Sequence, residues 1–348
     1  MLRERIEAKW IDCFVRTFDL CKIKPGDAVA ILSETQSRPV TVHLAELAAL
    51  RLGAKPFHVI MPTPPVEDSI PERSTARTLA VQELPPVVSA LCQASIVIDV
   101  TVEGMLHTPE LKKILAAGSR LFMISDEHPE VLERLMPDPA LREKIELGVR
   151  MIGAAKEMRV TSDAGTDLRV NLDGAFGRGS AGFVDQPGRV SYWPAGLCLC
   201  FPKPHAANGT VVLSPGDANL TFKRYIERPV TLRVEDDYVV AIEGEGLDAD
   251  LMRSYFAVWN DRDAYAVSHV GWGMNPAARW DSLVMYDKRD VNGTELRAFA
   301  GNFLYSTGAN EEAGRFSRGH FDLPMRNCTV SLDNTVVVDK GRVLPPLA

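Results

Sequence analysis

The 348 residues carry 39 lysines and arginines against 46 acidic side chains, a net charge of -7, and 46% of them are hydrophobic. At roughly 100 to 200 residues per domain this is room for two cores, in the composition of an ordinary globular enzyme. No block of cations offers itself to phosphate, which excludes nucleic acid as the expected partner, and no stretch reaches the roughly 18 apolar residues of a membrane span.

The first ten residues are charged and amphipathic and lack the apolar stretch of a secretory signal, so a cytoplasmic protein is expected. From there to residue 156, short apolar runs at 28–33, 55–61, 95–100 and 120–125 alternate with helical patterns at 40–52, 84–93, 109–117 and 128–156. Continuous Val/Ile/Leu strands separated by helices predict a parallel sheet covered on both faces. Residues 1–156 are therefore expected to form a doubly wound, Rossmann-like α/β domain. The first strand runs into Ser33-Glu34-Thr35-Gln36-Ser37 with no Gly-x-Gly-x-x-Gly, and a dinucleotide site is excluded. Residues 62–81, rich in Pro, Glu and Ser, read as a long surface loop and a candidate lid.

After residue 156 the pattern changes to short β-prone pieces at 158–162, 167–172, 209–213, 230–234, 238–243, 329–332 and 335–338, with one helical stretch at 248–259. Residues 157–348 are expected to form a β-rich α+β domain. The six cysteines are scattered, and the one close pair, Cys198 and Cys200, has neither zinc-ribbon nor redox spacing. Buried free thiols are expected.

Chemistry concentrates near the C-terminus. In Gly319-His320-Phe321-Asp322-Leu323 an imidazole and a carboxylate stand two apart, and an extended chain puts them on one face. His269, flanked by small residues in Ser268-His269-Val270-Gly271, is the candidate third ligand. Two histidines and one carboxylate make a facial triad, which leaves open positions on iron(II) for substrate and oxygen. The 2-oxoglutarate oxygenases are excluded by order, since their distal histidine follows the His-x-Asp and no histidine follows Asp322 here. His43, His58, His128 and His205 are read as surface or satisfied core histidines.

Three stretches carry a resemblance: Ser268-His269-Val270-Gly271-Trp272-Gly273-Met274-Asn275-Pro276, Gly301-Asn302-Phe303-Leu304-Tyr305-Ser306-Thr307-Gly308 and His320-Phe321-Asp322-Leu323-Pro324-Met325-Arg326-Asn327-Cys328. In that order they resemble the 2,5-dihydroxypyridine 5,6-dioxygenases, and the similarity covers nearly the whole chain. The resemblance implies iron(II) on His269, His320 and Asp322, a ring oxygen and O2 meeting at the metal, and cleavage of the C5–C6 bond to N-formylmaleamate. It also implies a homo-oligomer.

The family places an acid/base histidine in the N-terminal domain, and Met105-Leu106-His107-Thr108-Pro109 gives that role to His107, at the carboxyl edge of the predicted sheet. Ser306 and Thr307 are expected to hydrogen-bond ring substituents, with Arg189, Tyr192 and Trp193 as further substrate contacts. Gln186 and Tyr192 stand where the family pattern has an acidic residue and a histidine, which points to a related hydroxypyridine as substrate. The overall plan and the terminal His-x-Asp are also similar to the aminopeptidase T metallopeptidases, which use two metals. Glu243 or Glu245 would supply a bridging carboxylate in that alternative, although a histidine holds the position of another acidic ligand and one metal fits better.

Overall fold

The computed structural model describes residues 3–65 and 77–348. Its first part contains α1 (Ala8–Leu20), β1 (Ala28–Glu34), α2 (Pro39–Arg51), β2 (Lys55–Met61), α3 (Pro85–Cys92), β3 (Ile96–Asp99), α4 (Glu110–Ala116), β4 (Arg120–Ile124), α5 (Pro129–Arg134) and α6 (Pro139–Ala154). It continues through β5 (Glu157–Thr161), β6 (Asp167–Asn171), β7 (Phe176–Ser180), β8 (Val190–Trp193), β9 (Leu197–Phe201), β10 (Ala207–Leu213), β11 (Ala218–Asn219), β12 (Arg224–Tyr225), β13 (Val230–Glu235), β14 (Tyr238–Glu243) and α7 (Leu247–Val258). The last elements are β15 (Val267–Gly273), α8 (Ser282–Met285), α9 (Thr294–Ala298), β16 (Phe303–Thr307), β17 (Phe321–Met325), β18 (Thr329–Leu332), β19 (Thr335–Asp339) and β20 (Arg342–Val343).

The first sheet is parallel, in the order β2-β1-β3-β4-β8. Alternation along its strands divides the apolar residues between two cores. Val29, Ile31, Ile96 and Ile98 pack with α1 and α2, whereas Ala30, Leu32, Val97 and Leu121 pack with α3 and α4. This is the expected doubly wound arrangement, with one difference. Its fifth strand, β8, comes from beyond residue 156. The predicted helix over 128–156 is two helices, because Pro137 and Pro139 interrupt it and Asp138 caps the second by accepting from the Ala140 N–H at 2.9 Å. Of the loop at 62–81, residues 66–76 lie outside the described residues.

The second part holds an antiparallel eight-stranded sheet, β14-β13-β10-β6-β5-β18-β19-β20, and a five-stranded one, β17-β16-β15-β9-β7. A single core joins them: Val160, Val170, Val211 and Leu232 from the larger sheet meet Cys200, Trp272, Phe303 and Phe321 from the smaller. All six cysteines are free, and all but the half-buried Cys92 are buried. The smaller sheet thus spends one face on the core and turns the other towards the carboxyl edge of the parallel sheet, where doubly wound folds place their sites. No helix of the described residues is long and apolar enough to cross a membrane.

Candidate metal centre

A cavity of about 90 Å³ lies between the loops after β3 and β4 and the free face of the five-stranded sheet. At roughly 10–15 Å³ per water this holds about as many atoms as one substituted six-membered ring. Strand alternation decides what it contains. On β9, Leu197, Leu199 and Phe201 face it while Cys198 and Cys200 enter the core.

His269, His320 and Asp322 converge on this face, all buried, with one potential ligand atom of each within 4.8 Å of the others. Asp322 is the second residue of β17, and His320 stands two before it. His269 comes from β15, whose pairing with β16 slips between Val267 and Val270, an irregularity of the kind that re-aims a side chain beside a site. The His269 Nε2 and His320 Nε2 atoms lie 3.4 and 3.3 Å from opposite oxygens of Asp322.

Both imidazoles are held with Nε2 towards the cluster. His320 Nδ1 lies 2.7 Å from the Thr307 carbonyl, which can only accept, so Nδ1 carries the proton. The Ser268 hydroxyl donates to the Ala309 carbonyl and lies 2.9 Å from His269 Nδ1. Its one proton being used, it accepts from Nδ1–H, and the Nε2 lone pair is left for a metal. Tyr255 fixes the His320 backbone from both sides, its hydroxyl donating to the carbonyl at 2.8 Å and accepting from the N–H at 3.0 Å.

Burial lowers His269 to about 4, so it is neutral, as a ligand must be. Burial would also lower His320, but the charge of Asp322 raises it. Asp322 itself is pushed up by burial and yet held well below the usual carboxylate range by Arg297 and His320. The Arg297 Nε donates to Asp322 Oδ2 at 2.5 Å, and the Ser306 hydroxyl, opposite Asp322 in the register, donates to Oδ1. The donor set fits one divalent ion. Metal–ligand distances of about 2.0–2.2 Å would place facial ligands roughly 3 Å apart, and the three side chains need little movement to reach that.

His107 arrives from the parallel-sheet side of the cavity. Asp99, at the end of β3, accepts from the Thr101 N–H at 3.0 Å and the Met105 N–H at 2.8 Å, which winds the loop that presents His107. Gly104 turns within it at φ +81°, against Met123. The His107 ring centroid is 5.6 Å from that of His320 and 6.3 Å from that of His269. Its Nδ1 lies 3.1 Å from Glu311 Oε1, which leaves Nε2 for the cavity. Burial would raise the Glu311 carboxyl, but the hydrogen bond and charge of His107 hold it at about 2.

The other expected residues divide. Tyr192 lines the cavity, but Trp193, its neighbour on β8, points into the core under α1 and α2, where Nε1 donates to the Leu135 carbonyl at 2.7 Å. Likewise Ser306 faces the cluster behind Asp322, whereas Thr307 points to the opposite face and contributes only its carbonyl. Both are consequences of the strand period of two. Arg189 and Gln186 are exposed in an outer groove and not in the metal cavity. Glu243 and Glu245 are exposed at the end of β14, Glu243 paired with Arg233, and neither joins the cluster. Arg297, Phe201, Glu311 and Arg178 belong to the site or its rim and were not anticipated from the sequence.

Residues 9–345 match the family model for 2,5-dihydroxypyridine 5,6-dioxygenase. The chain is 34% identical to the 2,5-dihydroxypyridine 5,6-dioxygenase of Pseudomonas putida KT2440, over 97% of each protein. A solved structure of 2,5-dihydroxypyridine dioxygenase from that organism superposes with a TM-score of 0.93, covering 99% of both chains. Wild-type AmpT from Thermus thermophilus shares the fold at a TM-score of 0.59 and 12% identity, covering 97% of this chain and 99% of that one.

Proposed function

Since the chain belongs to the 2,5-dihydroxypyridine 5,6-dioxygenase family, we propose that it is an iron(II)-dependent dioxygenase that opens a hydroxylated pyridine ring between C5 and C6. With 2,5-dihydroxypyridine the product is N-formylmaleamate, and both atoms of O2 enter it. The observation that carries this reading is the convergence of a two-histidine, one-carboxylate cluster with a third histidine from the other domain on a cavity of single-ring size.

Iron(II) held by His269, His320 and Asp322 would supply the electron path between ring and dioxygen that side chains lack. The chain's own residues do the rest. Phe201, its centroid 5.2 Å from that of His269, gives the planar ring a face to lie against. Leu197, Leu199 and Leu304 keep water from the reacting atoms. His107 Nε2 takes the proton of a ring hydroxyl and returns it after cleavage, and Glu311 holds the imidazole in position and stabilises its charged form. Arg297 and Ser306 each donate to one oxygen of Asp322, which orients the carboxylate, keeps it ionised and leaves its other lone pairs for the metal.

The test is isotopic. Protein reconstituted anaerobically with iron(II), given 2,5-dihydroxypyridine and ¹⁸O2, should release a ring-opened product heavier by two labelled atoms. Incorporation of one atom, with the second from water, would indicate a hydroxylase and overturn the reading.

A further inference from the structure

The strand β7 reads Phe176-Gly177-Arg178-Gly179-Ser180, and its alternation is unusual. A Cβ on Gly179 would lie 2.4 Å from Ile145 and one on Gly177 3.2 Å from Val149, both on α6. The glycines let that helix close on one face of the strand. Arg178, between them and paired in register with Leu199, is thereby turned to the opposite face, where it lines both the metal cavity and the larger groove outside it.

Arg178 is half-buried, and its side chain has no ion pair or hydrogen bond to any described residue. The nearest acidic influence, Glu311, is committed to His107. The other cavity arginine, Arg297, is neutralised by Asp322. Burial pulls the Arg178 guanidinium below the usual arginine range, but an arginine does not give up its proton in a protein. A desolvated, unpaired charge is costly unless something arrives to compensate it.

The groove that shares Leu106, Arg178, Gly179 and Phe201 with the cavity has the same bias. Of its cations, Arg142 is taken by Glu146 and Asp185, whereas Lys112, Arg150 and Arg189 have no partner among the described residues. Its remaining acids, Glu311 and Glu312, are engaged by His107 and Lys203. Among the described residues, a chain of net charge -7 thus gathers unpaired positive charge along this groove, which raises the local concentration of anions.

We propose that Arg178 is a specificity-determining residue that binds a carboxylate on the ring, so that the preferred substrate is a hydroxypyridine carboxylate and not the neutral dihydroxypyridine. This rests on the ring-dioxygenase reading above and narrows its substrate class. A guanidinium recognises a carboxylate through two parallel N–H donors, and a ring lacking that group leaves both unused. Tyr192, beside Arg178 in the cavity wall, is placed to donate a further hydrogen bond to the same group.

The test compares 2,5-dihydroxypyridine with its ring-carboxylated counterparts, both as ligands of anaerobic iron(II)-loaded protein by calorimetry and as substrates by oxygen uptake. The wild-type protein should favour one carboxylated ring by roughly tenfold to a hundredfold in Kd. In Arg178→Met that ratio should collapse towards one with iron content and Tm retained, since the side chain makes no hydrogen bond or ion pair among the described residues, and Arg178→Lys should restore part of it. Equal or tighter binding of the neutral ring by wild type, with the ratio unchanged in Arg178→Met, would overturn the inference while leaving the dioxygenase reading intact. Failure of iron-loaded protein to bind or consume any of these rings would remove that reading and this inference with it.

Discussion

His107, on the loop after β3, and Glu311, in the segment between β16 and β17, meet across the cleft with Nδ1 and Oε1 3.1 Å apart. They are 204 positions apart in sequence, and their contact ties the acid/base candidate beside the parallel sheet to the face of the five-stranded sheet that carries the candidate metal cluster. Replacing Glu311 with Gln keeps the shape and removes the charge. We expect kcat to fall about tenfold to a hundredfold with iron content unchanged, from loss of support for a charged imidazole. Steady-state kinetics beside metal analysis checks this, and an unchanged kcat would show that the contact is only structural.

The same carboxylate makes a stability prediction. Its pKa is lowered from 4.5 to about 2 in the folded chain, so the folded state binds this proton more weakly than the unfolded one. The contribution is fully present above about 4.5 and is lost as pH falls towards 2. Metal-free wild type should therefore lose Tm on acidification through this window faster than metal-free Glu311→Gln. Parallel Tm–pH curves would contradict the assignment.

His107→Ala should retain iron and lose turnover by about a hundredfold or more, the usual scale of acid/base catalysis. His320→Ala and Asp322→Ala should instead lose both together, because each removes one of the three proposed ligands. Metal content measured after gel filtration separates the two classes of variant.

Ser268→Ala leaves all three proposed ligands in place but removes the hydroxyl that fixes the His269 tautomer. Iron affinity should drop by about tenfold to a hundredfold, as for other groups behind a metal ligand. Competition with a chelator of known affinity measures it.

Gly104 holds φ +81° with the Met123 sulfur 2.3 Å from where a Cβ would stand. Gly104→Ala should cost about 1–3 kcal/mol through backbone strain and the displaced methionine. Because the same loop presents His107, kcat should fall as well, and thermal melts with kinetics report the two effects separately.

The parts of this site that can be read in the sequence are those with local spacing. The His-x-Asp pair follows from two residues on one strand face, and the α/β domain follows from alternating Val/Ile/Leu runs and helices. Neighbouring strand residues were harder. Thr307 and Trp193 share their motifs with Ser306 and Tyr192, but in each pair one side chain faces the core and the other the cavity or its ligands, and only the register decides which. β7 carries two glycines in five residues and has little strand propensity, so Arg178 gave no signal beyond its flanking glycines. Arg297 and Glu311 reach the site from a helix of five residues and a short helical turn, elements too brief to show periodicity. β8 joined the first sheet despite its place in the chain, because a parallel sheet takes its next strand by edge pairing and not by sequence order.

The most direct test follows oxygen and ring absorbance together after anaerobic loading with iron(II), first with 2,5-dihydroxypyridine and then with its carboxylated counterparts. The account predicts one O2 consumed per ring lost with at least one of these substrates, and none in Asp322→Ala. Oxygen uptake without ring loss, or ring loss at the wild-type rate in Asp322→Ala, would contradict it.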